Sequence, residues 1–376
     1  MEVVTRKLRI LHVGNHTTPC VGGMENAIWQ TAKEQAALGH DVHVMVFDQC
    51  SRGGVRLPER EEKEGVVIHR VPQKGLSFYR IPPVEKLLHL AGGVDVVNVH
   101  GFGAWADILA LPFRRIKGKI IVTTHGGFFH TPRRALLKWF YRHVLFPLSW
   151  GIDGLIYVSE NDKKMFTSPV RSVVIPNGVE SEYFDSSLGK RKKDSFVFLG
   201  RFSQNKRVKN LIDAFAIFSK TTPSATLTIA GPDWDETKKE LDAYVQEKNG
   251  VGKVSILNEI SEKEKLLLLQ KSSVFVSASE YEGFGISVIE GMAAGCIPCV
   301  NTIPTFEKFV NEGGGFLTDY ADTLSVVAAW TRILSMKPAE SLKMRKRVRA
   351  YAHQFAWSEV VRKQVDFYYS IVGKTP

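Results

Sequence analysis

The sequence predicts an α/β protein made of two Rossmann-like domains facing each other across a cleft. Three observations carry this expectation. Apolar strand-like runs alternate with stretches of helical spacing from Leu8 onward, the alternation restarts after a polar run at Ser186–Asp194, and three helical segments follow the last strand. Strands that alternate with helices build parallel sheets. At 376 residues the chain is long enough for two domains of ordinary size.

Taken in order, Leu8-Arg-Ile-Leu-His-Val-Gly14 is a buried-strand run ended by glycine. Asn26 to Leu38 has helical spacing and Gly39 stops it, and Asp41–Phe47 is the next strand, which completes a βαβ unit. Further strands fall at Val66–Val71, Val94–His100, Ile120–Thr124 and Gly154–Val158, and Ser172–Val179 closes the domain. Ser186–Asp194 reads as a hinge linker, which gives domains at 1–185 and 195–356. The second series opens at Ser195–Gly200 and continues with strands at Thr226–Ala230, Val254–Leu257, Val274–Val276 and Ile297–Val300. Helices follow at about Leu324–Ser335, Ser341–Phe355 and Ser358–Val372.

Composition narrows the classes. Apolar content of 44% and charged content of 24% are globular averages. No apolar run approaches the length of a membrane span, and residues 1–14 lack the pattern of a signal peptide. Four cysteines do not make a disulfide framework, so the expectation is a cytoplasmic protein. The net charge of +11 is uneven: residues 1–180 hold 23 basic against 16 acidic residues. Between Asp107 and Asp153 there is no acid, yet there are eight bases, a field that implies an anionic partner. Within that stretch Arg134, Lys138 and Arg142 form a stripe on a helix-like segment, Pro132–Phe146, whose other positions include Trp139 and Phe140. Such a segment either lies on an anionic membrane surface or packs into a core with a solvated stripe.

Several loops carry chemistry. At Glu282-Gly-Phe-Gly285 a glycine turn joins a strand to a helix that runs from Ile286 to Ala294. Backbone N–H groups around Phe284, Gly285, Ile286 and Ser287 then point at one spot suited to a phosphate. Glu282 before the turn and Glu290 one turn into the helix are placed to accept hydrogen bonds from hydroxyls of a ribose or a sugar; the bland alternative is a helix cap with two solvated acids. Gly22-Gly23, after the first strand, lets backbone approach a ligand closely. A dinucleotide fingerprint does not fit there, because Gly14 and Gly22 are too far apart, although Asp48 imitates its ribose acid. Arg201 and Lys206, five apart after a strand and glycine, can reach one diphosphate from two sides. His125 stands at a strand end with glycines after it; a lone histidine usually packs, but this position faces a ligand in an α/β domain. Asp233-Trp-Asp235 has the spacing of a metal motif but reads as structural, and no cluster has metal-ligand spacing.

Glu282-x7-Glu290 around Gly-Phe-Gly resembles the second-domain signature of family 4 glycosyltransferases, which have the GT-B fold. Gly-Gly-x-Glu25, His125-Gly, Pro176-Asn-Gly-Val179, Gly200-Arg…Lys206 and Gly231-Pro-Asp233 occur in the family's order and cover nearly the whole chain. Arg207 stands where the family usually has a glycine, which bears on the geometry of that loop. The resemblance also favours buried thiols over a redox pair at Cys296-Ile-Pro-Cys299. The run His125-Gly-Gly-Phe-Phe-His-Thr131 is similar to mannosyltransferases of the acetan and xanthan type, which use GDP-mannose and an acceptor linked to a diphosphate-polyprenol.

The resemblance implies a retaining hexosyltransferase whose last helix, at 357–376, returns to the first domain. It implies that Arg201, Lys206 and the Gly285–Ser287 turn bind the donor diphosphate, with Glu290 on the ribose and Glu282 on the sugar. His125 is then placed against the sugar ring, and Gly22-Gly23 against donor and acceptor. No cofactor, metal or nucleic acid is expected. The expected partners are a nucleotide sugar, a glycan or lipid-linked acceptor and an anionic membrane surface, with the enzyme peripheral on the inner face of the cell membrane. GDP and UDP both remain open, the base being expected near Asn258–Ser261. A sugar-nucleotide epimerase of the same fold, a phosphorylase, a UDP-hexose transferase with a soluble acceptor and a non-enzymatic membrane-surface protein are the rivals.

Overall fold

The computed structural model describes residues 7–20, 22–50, 55–76, 79–110, 116–125, 151–166, 168–185, 187–188, 191–248 and 252–373. The chain forms two compact units, one of 1–178 with 357–376 and one of 179–356.

The first unit is built on an eight-stranded sheet. Its strands are β1 (Arg9–Val13), β2 (Asp41–Phe47), β3 (Arg60–Lys63) and β4 (Val66–Val71), then, beyond a two-stranded ribbon of β5 (Lys74–Leu76) and β6 (Tyr79–Ile81), β7 (Val96–His100), β8 (Lys119–Thr123), β9 (Gly154–Tyr157) and β10 (Arg171–Val174). The spatial order is β10-β9-β8-β7-β1-β2-β4-β3, parallel except for the edge strand β3. Runs such as Ile10–Val13 and Val96–His100 are buried throughout, as strands covered on both faces must be. β3 escaped the sequence reading because Arg-Glu-Glu-Lys has no apolar residue; it is a solvent-facing edge.

The last helix, Trp357–Val372, belongs to this unit, as expected. Trp357, Val360, Val361 and Tyr368 pack with Ile10, Val96, Ile121 and Ile156 of the sheet. Gly178 is required where the chain leaves the unit: a Cβ there would meet the Trp357 ring at 2.3 Å.

The second unit has six parallel strands in the order β13-β12-β11-β14-β15-β16. They are β11 (Ser195–Leu199), β12 (Thr226–Ala230), β13 (Val254–Leu257), β14 (Val274–Ser277), β15 (Ile297–Asn301) and β16 (Phe316–Thr318). Phe196, Phe215, Phe218 and Trp330 form an aromatic cluster on one side of the sheet, with ring centroids 5.0–6.3 Å apart.

Two expectations are corrected. The unit boundary falls at Gly178/Val179, and the polar run read as a hinge is part of the second unit. Arg191 anchors it, donating to the carbonyls of Leu269 at 2.9 Å, Ser272 at 2.6 Å and Ala294. With Arg345, which reaches Gly295 O at 3.0 Å, and Arg349, which reaches Ala293 O at 3.1 Å and Ala294 O at 3.2 Å, it covers the C-terminal carbonyls of the helix Ile286–Ala293. Second, Cys20 and Cys50 are joined in a disulfide. They follow β1 and β2, neighbours in register, so the two loops leave the same end of the sheet side by side. Cys296 and Cys299 are free and buried, and burial pushes the Cys299 thiol up to about 12.

The basic segment Pro132–Phe146, with Arg134, Lys138, Trp139 and Arg142, lies outside the described residues, as does His130. Among the described residues no helix is long and apolar enough to cross a membrane.

Candidate active site

In parallel sheets ligands bind beyond the strand carboxyl ends, where the strand order reverses. In the first unit that point lies between β1 and β7, and in the second between β11 and β14. Gly22 and Gly23 follow β1, Arg201 and Lys206 follow β11, and Glu282 and Glu290 follow β14, whereas His125 follows β8, the neighbour of β7.

In the second unit the loop after β11 carries Arg201 and Lys206, and the turn after β14 carries Glu282. Lys206 and Glu282 form an ion pair, both side chains nearly nine-tenths buried at 12% and 13% exposure. Glu282 also accepts from Ser279 Oγ at 2.9 Å, and its backbone carbonyl accepts from Thr305 Oγ1 at 3.0 Å. The expected diphosphate cation is thus held by the expected sugar carboxylate. Arg201 lies elsewhere, its guanidinium 4.5 Å from the centre of the exposed Trp234 ring.

Gly285 begins the helix Ile286–Ala293 in the left-handed region, at φ 82°, and a Cβ there would press on the Phe306 ring at 3.0 Å. No side chain caps this helix, so the first N–H groups, at Ile286 and Ser287, keep the orientation suited to an anion. Phe284 packs edge-on against Phe309 and Phe355, which fixes the turn.

Arg207 takes up the left-handed conformation itself, at φ 47°, and pairs with Glu280. The loop keeps a glycine's geometry under an arginine. A non-glycine residue there carries about 1 kcal/mol of strain, and so exposed an ion pair contributes about 0–1 kcal/mol. Arg207→Gly is therefore expected to be as stable as the parent or about 1 kcal/mol more stable, while Arg207→Val, β-branched at positive φ, loses about 2 kcal/mol. Urea denaturation of the two variants tests this; a valine variant as stable as the glycine one would show that the loop relaxes.

Glu290 already has a partner on one of its two carboxylate oxygens. Its Oε1 accepts from Lys265 Nζ at 2.8 Å, and Lys265 also reaches Glu262 at 2.7 Å and lies 5.7 Å from the Tyr183 ring centre. Burial pushes the Glu290 carboxyl up against the pull of Lys265. Burial works against the Lys265 ammonium too, but Glu290, Tyr183 and Glu262 outweigh it and hold its pKa above the usual value. Sequence reasoning missed Lys265 because it comes from another helix, Glu262–Lys271.

The Asp233-Trp-Asp235 carboxylates serve the backbone. Asp233 Oδ1 accepts from Lys238 N at 2.8 Å and Asp235 Oδ2 from Gln204 N at 3.2 Å. Among the described residues no group of histidine, cysteine and acidic side chains is placed to hold a metal.

In the first unit Gly22 caps the helix Gly23–Ala37 without a side-chain hydrogen bond, and a Cβ on Gly22 would run into the Glu25 carboxylate. His125, just past β8, is hydrogen-bonded through Nε2 to His100 Nδ1 at 3.0 Å, at the end of β7. His100 Nε2 meets His12 Nδ1 of β1 at 2.9 Å, and His12 Nε2 meets Gln35 Oε1 at 2.8 Å. Burial pushes His12 and His125 down to about 4 and His100 well below its usual value, so all three rings are neutral. Only His125 was legible as a site residue. The signal for the others was that His100 ends β7 and His12 stands one residue before the end of β1, and their adjacency follows from the order β8-β7-β1.

Two α/β units, each carrying polar loops at its switch point, fit an enzyme that handles an anionic sugar donor. The profile described as "Glycosyltransferase Family 4" matches residues 21–183 and that described as "Glycosyl transferases group 1" matches 179–355, meeting where the structural units do. The chain belongs to the family 4 glycosyltransferases, with the GT-B fold. It is 30% identical to a GDP-mannose:cellobiosyl-diphosphopolyprenol alpha-mannosyltransferase of Xanthomonas oryzae pv. oryzae, over 97% of this chain and 98% of that one. It is 29% identical to the protein of the same description from Xanthomonas campestris, with the same coverage of 97% and 98%. Among solved structures, sucrose-phosphate synthase from Thermosynechococcus elongatus has a TM-score of 0.75 at 19% identity, covering 98% of this chain and 100% of that one.

Proposed function

We propose that the enzyme transfers mannose from GDP-mannose, with retention, to a saccharide carried on a polyprenyl diphosphate during polysaccharide assembly. The observation that carries this reading is the near end-to-end similarity to mannosyltransferases described by that donor and that type of acceptor. Lys206, Arg201 and the N–H groups at Gly285–Ser287 stabilise the departing diphosphate, a charge that grows in the transition state. Lys206 turns from Glu282 to the phosphates and frees that carboxylate for the sugar. Glu290 accepts from the ribose with Lys265 behind it. The buried Asn258 Oδ1, without a partner among the described residues, accepts from the base. His125 lies against the transferred sugar. No carboxylate nucleophile takes part; the acceptor attacks the face from which the diphosphate departs, and the leaving phosphate takes the acceptor's proton. Neither cofactor nor metal takes part.

Incubation with radiolabelled GDP-mannose, UDP-glucose or UDP-galactose and a cellobiosyl-diphosphate lipid tests the proposal. The expected result is α-mannoside formation from GDP-mannose alone, at a rate unchanged by EDTA. Transfer from a UDP-sugar would replace the donor, isomerisation without transfer would make the protein an epimerase, and loss on chelation restored by Mg²⁺ would return Asp233 and Asp235 to the chemistry.

The proposal places the enzyme in the cytoplasm, on the inner face of the membrane that holds the acceptor. Arg134, Lys138 and Arg142 contribute about 1 kcal/mol each near an anionic surface, with Trp139 inserted. Anionic vesicles should float the protein at low salt, less so as salt rises, and less so with the three bases changed to Glu. Equal flotation with neutral vesicles would leave the segment a packed helix.

A further inference from the structure

The histidine row in the first unit has a direction. A neutral imidazole holds one N–H, so each ring in a hydrogen-bonded row donates on one side and accepts on the other. The row begins at a group that can only accept, the Gln35 carbonyl oxygen, which stands 2.8 Å from His12 Nε2. His12 therefore carries its proton on Nε2 and offers Nδ1 as a lone pair to His100 Nε2 at 2.9 Å. His100, having donated from Nε2, offers Nδ1 to His125 Nε2 at 3.0 Å. His125 then has its proton on Nε2, and its Nδ1 is a bare lone pair. That atom is shielded from solvent and has no partner among the described residues. Gln35 and His12 are fully buried and His100 is 5% exposed, so water does not break the sequence of donors and acceptors.

We infer that Gln35, acting through His12 and His100, fixes the tautomer of His125 so that its Nδ1 accepts a hydroxyl proton from the sugar. This rests on the placement of His125 against the transferred sugar. Gln35, His12 and His100 are positioning residues that touch no substrate. The row also defines what the site refuses. A hydroxyl can donate to the lone pair, whereas a carboxylate or a fluorine substituent offers only acceptors and leaves a buried atom unpaired. The device suits a neutral hydroxylated hexose and disfavours a uronic acid.

Long-range ¹H–¹⁵N correlation spectra of the unliganded protein with ring-¹⁵N histidine read the tautomers directly. The expected wild-type result is Nε2–H with unprotonated Nδ1 at His12, His100 and His125. Gln35→Met keeps the side-chain volume and removes the carbonyl. It is expected to give mixed tautomers at His125 and a turnover lowered roughly tenfold, with the donor KM close to wild type and a melting temperature lower by about 2–8 °C, because a buried N–H in the row loses its acceptor. An Nδ1–H proton on wild-type His125, as a Gln35 amide turned end for end would produce, overturns the inference without need of any variant. So does a Gln35→Met spectrum that keeps one tautomer. Because the spectra need no substrate, a protein with the expected tautomers that transfers no sugar would overturn the transferase reading and leave the row intact.

Discussion

Acidification from pH 7 to pH 5 is expected to unfold the first unit ahead of the second. Ten of the 11 histidines lie in residues 1–178, and only His353 lies in the second unit. Burial, joined by Arg80 at His16 and by His43, Arg60 and Lys86 at His69, pushes His12, His16, His69 and His125 down to about 4. In the unfolded chain a histidine binds its proton near pH 6.5. Between pH 6.5 and 4 the unfolded state therefore holds more protons than the native one. Stability is complete above 6.5, falls as the pH drops toward 4, and levels off below that. For fully buried His12 alone the loss at pH 5 is about 2 kcal/mol. Several such groups together approach the whole stability of an ordinary domain, about 5–15 kcal/mol. Hydrogen exchange at pH 7.5 and pH 5 should show protection lost first in β1, β7 and β8 while β11, β12 and β14 keep theirs. Equal loss in both units would mean that the rings are charged or solvated in the native state.

Lys206→Ala is expected to weaken binding of a bare nucleoside diphosphate by about a hundredfold or more. Two effects add. A charge-assisted hydrogen bond to phosphate, of about 1.5–3 kcal/mol, is lost. Glu282 is then left buried without its cation, and a carboxylate so placed repels the incoming diphosphate. Glu282→Ala alone should leave diphosphate affinity near wild type, because the ammonium is freed rather than removed, yet turnover should fall. The double variant Lys206→Ala, Glu282→Ala should recover part of the affinity lost by Lys206→Ala. Calorimetry of the four proteins closes the cycle. A double variant as weak as Lys206→Ala, or weaker, would show that Glu282 does not face the diphosphate.

The sequence made the strands, their alternation and the returning helix legible because buried parallel strands are continuous apolar runs. It hid whatever depends on strand order or on a partner far along the chain. His12 and His100 each read as a packed residue in a strand, and only the order β8-β7-β1 sets them in a row with His125. Lys265 precedes Glu290 by 25 residues, in a helix with an exposed charged face. Ser186–Asp194 has the composition of a solvated hinge, yet the carbonyls that hold Arg191 come 78 to 103 residues later. Arg207 shows the reverse: the missing glycine left the loop's geometry open, and the backbone kept the glycine's conformation. Cys20 and Cys50 fall in loops whose adjacency follows only from the pairing of β1 with β2.

The arginines at the end of the helix Ile286–Ala293 bear on whether the proposed donor site can be transplanted. The helix is eight residues long, about 12 Å, with its amino end where the proposed reading puts the donor diphosphate and three guanidinium groups on its carboxyl end. Each of those cations, at an effective dielectric of about 20, contributes about 1 kcal/mol to a charge one helix length away. Arg345 is 7% exposed, so salt screens it little. A designer who grafted only the turn and its helix onto another scaffold would carry over the amide groups and leave the supporting charge behind. Arg191 arrives from the segment before β11, and Arg345 and Arg349 from a helix 50 residues downstream. The smallest portable anion-binding part is thus nearly the whole second unit, and loop swaps between such enzymes should preserve affinity only when those three arginines, or equivalents, travel with the turn.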